Sequence, residues 1–100
     1  MAFIQTVSFT TSRIEEMKEL LDGFNGQQGD AQVRGFRGLK LLKDRDNEDA
    51  FLVLADFVSY GLAMENSARP ETDAFAKRMA EMTDEPPTFG NYDIINEYTP

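Results

Sequence analysis

Residues 33–58 read VRGFRGLKLLKDRDNEDAFLVLADFV. Two runs of strand length, residues 33–43 and 50–58, are separated by the polar segment DRDNED. Val, Leu and Phe suit a pleated, half-buried surface, and a short polar connection is typical of an antiparallel hairpin. Gly35 and Gly38 interrupt the first run, which indicates a β-bulge or a close approach to the backbone. We therefore expect a β-hairpin in the middle of the chain.

The segment before the hairpin predicts a strand followed by a helix. Residues 2–10, AFIQTVSFT, alternate in polarity as a strand does. Ser12 and Glu15 then match the capping box that begins many helices. Apolar residues follow at helical spacing: Ile14, Met17, Leu20, Leu21 and Phe24. Gly23 and the residues around it are expected to end this helix, so that residues 26–30, GQQGD, form a loop.

The segment after the hairpin predicts two helices and a final strand. Ser59 is a candidate N-cap for a short helix over residues 60–68, which Pro70 interrupts. Proline is favoured in the first turn of a helix, so a second helix is expected over residues 71–82. Pro86 and Pro87 end that helix. Residues 88–98, TFGNYDIINEY, are expected to form the last strand.

If the two helices on either side of Pro70 are counted as one interrupted element, the order is β-α-β-β-α-β, which predicts a single α+β domain over residues 1–100. This is the ferredoxin-like sandwich, with two helices on one face of an antiparallel sheet. The strand at residues 50–58 also has large apolar side chains on both faces: Phe51, Val53 and Phe57 on one, and Leu52, Leu54 and Val58 on the other. A sheet buried on both faces needs a second covering layer. We expect a homodimer to supply it.

The composition excludes several kinds of function. The chain has no Cys and no His, which removes disulfides, thiol nucleophiles, Ser-His-Asp triads and His-ligated metal or haem. Its net charge of −8 makes nucleic-acid binding unfavourable. We find no signal peptide and no apolar run long enough to cross a bilayer, so we expect a cytoplasmic protein without a membrane partner.

Charge is distributed unevenly along the chain. Residues 1–45 carry seven basic and six acidic side chains, whereas residues 46–100 carry three and twelve. Five cations fall in or beside the first strand of the hairpin: Arg34, Arg37, Lys40, Lys43 and Arg45. They form either a solvated strand facing acidic helices or a patch that binds an anionic ligand or partner.

The acidic turn at residues 44–49 invites comparison with a calcium loop. An EF-hand needs Gly at its sixth position and Glu at its twelfth, where this sequence has Asp49 and Ala55. We therefore interpret the segment as a hairpin turn and predict no metal site.

Residues 35–91 resemble the antibiotic biosynthesis monooxygenase-like members of the dimeric α/β-barrel superfamily. The resemblance is carried by GFRGLKLL, by FLVLADFVSYGLAMENSARPETDAFAKRMAEM and by PPTFGNYDI. It implies a homodimer with a pocket in each subunit, between the sheet and the helices. The group includes cofactor-independent quinone-forming oxygenases and haem-degrading enzymes. The haem-degrading branch is excluded, because it needs a His that this chain lacks.

The resemblance also indicates candidate catalytic residues. The oxygenases commonly have an Asn near the end of the third strand, a Trp four residues later and a Tyr six further on. The matching positions here are Asp56, Tyr60 and Asn66, and none carries the family residue. Asp56 would act as a general base, and Tyr60 and Arg69 would orient substrate oxygens, with Asn66 as a further catalytic candidate beside them. Alternatively, Asp56 reaches water or pairs with Arg37 or Lys40. Asn66, Ser67 and Arg69 would then satisfy backbone groups at the helix break before Pro70.

Four further residues are candidates for substrate binding. Met64, Phe75 and Met79 form a soft apolar wall that would suit a flat aromatic ligand, although such residues at helical spacing also build ordinary cores. Arg37 would bind an anionic group.

Two functions stay open at this point. The first is a cofactor-independent monooxygenase for a polycyclic or quinol-type aromatic substrate, which supplies its own electrons to oxygen. The second is a non-catalytic homodimeric module of the same fold, which binds a small molecule or stabilises an assembly.

Overall fold

The computed structural model describes residues 2–30 and 34–100 and contains one four-stranded antiparallel sheet with helices packed on one of its faces. The elements in chain order are β1 (Phe3–Thr10), α1 (Ile14–Asp30), β2 (Phe36–Lys43), β3 (Ala50–Phe57), α2 (Tyr60–Ser67), α3 (Pro70–Glu81) and β4 (Thr88–Asp93). The strand order is β2-β3-β1-β4. The predicted ferredoxin-like α+β fold is confirmed.

The β2–β3 hairpin contains the irregularity that its glycines predicted. Phe36 pairs with Phe57 but Gly38 pairs with Asp56, so Arg37 is the extra residue of a bulge. Gly35 has a φ of 77°, and a Cβ atom there would lie 2.6 Å from Leu62 Cδ1. Both predictions for the glycines, a β-bulge and a close approach to the backbone, are therefore confirmed.

Strand β2 begins three residues later than the sequence suggested. Arg34 and Gly35 form a turn before it, because the left-handed backbone at Gly35 cannot continue an extended strand. The first residue of the predicted strand, Val33, lies outside the described residues.

Helix α1 extends further than predicted. It continues to Asp30, so the expectation of a helix end near Gly23 and a loop over residues 26–30 is wrong. A glycine costs a helix only about 1 kcal/mol relative to alanine, and the packing of the apolar stripe offsets that cost. Leu21, in the middle of this stripe, is buried in the core.

The helix also begins differently. Thr11 Oγ1 accepts a hydrogen bond from the Arg13 backbone N–H at 2.9 Å and donates one to the Met82 carbonyl at 2.6 Å. The predicted capping box of Ser12 and Glu15 is absent from the hydrogen bonds of the described residues. Thr11 thus ties the start of α1 to the end of α3.

The break between α2 and α3 follows the prediction. Ser59 Oγ accepts a hydrogen bond from the Leu62 backbone N–H at 3.2 Å, as an N-cap does. Pro70 occupies the first turn of α3.

Strand β4 is shorter than predicted. It ends at Asp93, because its partner β1 begins at the paired residue Phe3. One further backbone hydrogen bond joins the Ile94 N–H to the Ala2 carbonyl at 2.8 Å. Residues 94–100 belong to no helix or strand, which corrects the predicted strand end at residue 98.

The two faces of the sheet differ in what covers them. The helix-covered face holds the core, which includes Phe9, Met17, Val53 and Met79. By strand alternation and pairing, the opposite face carries five large apolar side chains: Ile4, Leu42, Leu52, Leu54 and Tyr92. We call this the open face. Its apolar character agrees with the prediction that β3 is apolar on both sides.

None of the described helices is both long enough and apolar enough to cross a lipid bilayer.

Candidate functional site

A cavity of about 220 Å³ lies between the helices and the covered face of the sheet. Its floor is formed by residues of β1, β2 and β3: Gln5, Val7, Phe36, Leu39, Val53, Ala55 and Phe57. Its roof comes from the helices: Leu21, Phe24, Asn66, Ser67, Thr72, Asp73, Phe75, Ala76 and Met79. Pro87 and Phe89 close one side. The cavity therefore lies where the resemblance predicted a pocket.

The cavity exists because two of its lining side chains are small. Ala55 stands between Val53 and Phe57 on the covered face of β3, and Ala76 stands on α3 next to Phe75. A larger residue at either position would project into the cavity. Met79, which also lines the cavity, is only 3% exposed to solvent.

Two aromatic pairs shape the wall. The rings of Phe24 and Phe75 stack with their centroids 4.1 Å apart and their planes 24° apart. The rings of Phe36 and Phe57 meet edge to face at 5.6 Å. Stacked and edge-to-face rings of this kind also accept a further aromatic ring, so the wall suits a flat apolar ligand.

A polar pair lies in the roof at the junction of α2 and α3. Asn66 is 6% exposed, and its Oδ1 atom accepts a hydrogen bond from the Thr72 hydroxyl at 3.2 Å. The break at Pro70 makes this contact available, because it turns the first residues of α3 back toward the end of α2. An amide and a hydroxyl can together hold a hydroxyl or carbonyl oxygen of a ligand.

Two other polar side chains reach the cavity wall. Gln5 Nε2 donates a hydrogen bond to Asn91 Oδ1 at 3.4 Å across the β1–β4 pair. Asp73 is mostly exposed, and one of its carboxylate oxygens lies 3.0 Å from Lys77 Nζ. Among the described lining residues, Asp73 is the only charged side chain.

The structure brings three of the sequence-predicted site residues to this cavity: Asn66, Phe75 and Met79. Their roles in binding or catalysis stay predictions. Met64 is near but does not line the cavity. It packs instead against the small cluster of Phe3, Phe57 and Ala63.

The other four predicted residues lie elsewhere. Asp56 pairs with Ile4 and Gly38 and alternates with the covered residues Ala55 and Phe57, which puts its side chain on the open face. Tyr60 is 53% exposed at the start of α2, with its ring against Phe3 at 5.3 Å.

Both predicted arginines also lie outside the cavity wall. Arg69 precedes α3, and its Nε atom lies 3.5 Å from Glu71 Oε2. Arg37 is the exposed extra residue of the β2 bulge.

Sequence reasoning missed Gln5, Phe24 and Thr72. Gln5 is a polar residue on the otherwise apolar face of β1, between Phe3 and Val7, and this interruption was a usable signal. Phe24 was assigned to the apolar stripe of α1 without a role. Thr72 carried no signal, because its contact with Asn66 spans six residues across a helix break.

Two of the five cations in and beside β2 have acceptors within the chain. The Arg34 guanidinium lies 3.6 Å from the Glu65 carboxylate, and Lys43 donates a hydrogen bond to the Glu48 carbonyl at 2.8 Å.

The hairpin turn has hydrogen bonds of its own. The Asp46 backbone N–H and the Asn47 side chain donate to the Asp44 carboxylate, which holds the pKa of the Asp44 carboxyl below its ordinary value. The hairpin turn at residues 44–49 is thus stabilised by hydrogen bonds between its own residues. No group of three or more acidic side chains within the described ranges could hold a metal ion.

The chain is similar in fold to several proteins of known structure. No protein-family model matches the sequence, and no curated protein matches it. The fold is similar to SnoaB, a cofactor-independent oxygenase from Streptomyces nogalater, with a TM-score of 0.80 and 15% identity over 96% of this chain and 95% of the other.

Two further structures are similar to the same degree. Rv0793 from Mycobacterium tuberculosis gives a TM-score of 0.79 at 14% identity, covering 99% of this chain and 100% of that one. A candidate antibiotic biosynthesis monooxygenase from Caulobacter crescentus gives 0.80 at 12% identity, over 95% and 91%. The fold of this chain is that of the antibiotic biosynthesis monooxygenase-like proteins, as the sequence resemblance predicted.

Proposed function

We propose that this protein is a cofactor-independent oxygenase that binds a quinol-type aromatic substrate in the cavity between sheet and helices. The observation that carries the proposal is the cavity itself, which combines stacked aromatic walls with the partly buried Asn66–Thr72 pair. An apolar site with a few convergent polar groups is the usual form of a small-molecule site. The fold shared with SnoaB agrees with this reading.

The chemistry needs little from the protein. A deprotonated quinol is electron-rich and reduces O2 directly. One oxygen atom enters the ring and the other leaves as water, while the quinol loses four electrons and becomes a hydroxyquinone. The Asn66 and Thr72 side chains would hold a substrate oxygen and stabilise charge that develops there. Asp73, the carboxylate among the described lining residues, would accept the proton.

Oxygen uptake tests the proposal. Purified protein is mixed with methylhydroquinone or 1,4-naphthalenediol in an oxygen electrode, and the rate is compared with that of heat-denatured protein at the same concentration. We expect faster uptake with native protein, one O2 consumed for each substrate, and one labelled atom in the product when ¹⁸O2 is used. Equal rates for native and denatured protein would overturn the proposal.

A second function is favoured by a specific observation. Asp56, Tyr60 and Arg69, which sequence reasoning assigned to catalysis, all lie outside the cavity wall. A binding module without catalytic activity would have the same apolar cavity and no need of a base. Tight binding of an aromatic ligand without any oxygen uptake would support this alternative.

We also propose that the protein is a homodimer in which a second copy covers the open face. Support comes from its large apolar side chains, among which Tyr92 is 59% exposed and Leu42 is 39% exposed. Stable interfaces bury at least about 1,000 Å² in total, which a sheet face of this kind can supply. Native mass spectrometry tests this: a mass near twice 11.3 kDa supports the dimer, and a monomer overturns it.

A further inference from the structure

The size of the cavity limits what it can hold. A cavity of about 150 Å³ lined by apolar residues is sufficient for benzene, whereas sites for drug-sized ligands begin at about 300 Å³. The cavity here, at about 220 Å³, lies between these values. It has room for one substituted ring or for two compact fused rings, and too little for three.

The stacked pair of Phe24 and Phe75 sets this limit on the helix side. Phe24 comes from α1 and Phe75 from α3, and both line the cavity. Their centroid separation of 4.1 Å leaves no space for a ring between them. A longer ligand could extend toward α1 and α3 only by separating the pair, which would cost the stacking contact between the two helices.

The charge of the wall limits the ligand as well. Asp73 is the only charged side chain among the described lining residues, so no cation is among them. Arg37 and Arg69 lie outside the cavity wall. A carboxylate or phosphate group on the ligand would therefore meet the Asp73 carboxylate and no lining cation, which is unfavourable.

We propose, on the basis of the proposed function, that the substrate is a neutral aromatic of one or two rings. The Phe24–Phe75 pair is the specificity determinant that excludes three-ring compounds. This choice favours simple quinols over the polycyclic substrates that sequence reasoning also allowed.

Binding measured without oxygen tests the size limit apart from catalysis. Four probes are titrated by calorimetry under nitrogen: methylhydroquinone, 1,4-naphthalenediol, anthrone and 2,5-dihydroxybenzoate. We expect the first two to bind, and anthrone and dihydroxybenzoate to bind at least about tenfold more weakly.

Substitutions of Phe24 and Phe75 then test whether this pair sets the size limit on the ligand. Phe75→Ala and Phe24→Ala are expected to improve anthrone binding at least about tenfold relative to methylhydroquinone. Phe51→Ala is the matched control, because Phe51 stacks on Phe9 in the core and does not line the cavity. Phe51→Ala should bind the four probes in the same order of Kd as the wild type. If an alanine variant does not fold, as judged by circular dichroism, Phe75→Leu and Phe24→Leu replace it.

The outcomes separate this inference from the proposed function. Anthrone binding to wild-type protein within about threefold of methylhydroquinone would overturn the size limit alone. Failure of all four probes to bind would overturn the inference and the proposed function together. The expected order of binding without oxygen uptake would support the size limit and overturn the oxygenase activity.

Discussion

The Thr72 hydroxyl donates a hydrogen bond to Asn66 Oδ1 at 3.2 Å, across the helix break at Pro70. This contact joins two helices at the one place where a buried amide lines the cavity. It orients the Asn66 side chain, so that under the proposed function the two polar groups would act on a ligand together. The helix break at Pro70 thus shapes the cavity wall as well as the fold.

Removal of the Thr72 hydroxyl should weaken ligand binding without unfolding the protein. Thr72→Val keeps the shape of the side chain and removes the donor, and a neutral hydrogen bond contributes about 1 kcal/mol. We expect an increase of about fivefold in the Kd for methylhydroquinone. Thr72→Ser restores the hydroxyl and should restore the wild-type Kd. If Thr72→Ser binds as weakly as Thr72→Val, the hydroxyl has no role in binding.

Filling the cavity should abolish binding at little cost in stability. Ala76→Leu places a branched side chain in the cavity, and we expect the Kd for methylhydroquinone to rise by at least about tenfold. The free energy of unfolding should change by less than about 1 kcal/mol, because the added atoms enter existing space. Ala74→Leu on the exposed side of the same helix is the control and should bind normally. Equal binding by both variants would mean that ligands bind elsewhere.

Gly35 should be intolerant of any side chain. Its φ of 77° disfavours alanine, and the new Cβ atom would lie 2.6 Å from Leu62 Cδ1. We expect Gly35→Ala to lower the free energy of unfolding by about 2 kcal/mol or more, measured by urea denaturation. Gly61→Ala is the control, since no atom lies within 4 Å of the new Cβ in α2. It should be neutral or slightly stabilising, by less than about 1 kcal/mol.

The hairpin turn should make stability depend on acid pH. Hydrogen bonds from the Asp46 N–H and the Asn47 side chain favour the charged form of Asp44 and lower its pKa below 3.8. A carboxyl with a lowered pKa in the folded state stabilises the protein above its unfolded pKa, and that contribution is lost as the pH falls through the folded value. Thermal unfolding of wild type and Asp44→Asn should therefore differ most above pH 4 and converge at lower pH. A difference that grows as the pH falls would contradict this.

Sequence patterns were sufficient for the fold but only partly for the site. The bulge at Gly38, the cap at Ser59 and the helix start at Pro70 are local signals, because each depends on the backbone preference or the side-chain hydrogen bond of one residue. The cavity depends on the non-local packing of small side chains such as Ala55 and Ala76. Nothing in the sequence around these alanines distinguishes a void from a filled core.

The sequence also did not show that Asp56 points away from the cavity. Alternation along β3 puts Asp56 and Ala55 on opposite faces, and a shift of one residue in this assignment reverses every side chain. The resemblance gave the position of Asp56 in the chain, and alternation set it on the face opposite to that of Phe57. The structure added which face the helices cover, because Val53 and Phe57 lie in the core.

Substitution of Asp56 decides whether the sequence-based assignment or the geometry is the better guide to catalysis. Since Asp56 lies on the open face, we expect Asp56→Asn to keep kcat for quinol oxidation within about twofold and to alter the association of subunits instead, as seen by native mass spectrometry. Asp73→Asn, which removes the carboxylate of the cavity wall, should lower kcat by about tenfold or more if Asp73 accepts the proton. A tenfold loss in Asp56→Asn with unchanged mass, and none in Asp73→Asn, would assign the base to Asp56 and reject the geometric argument.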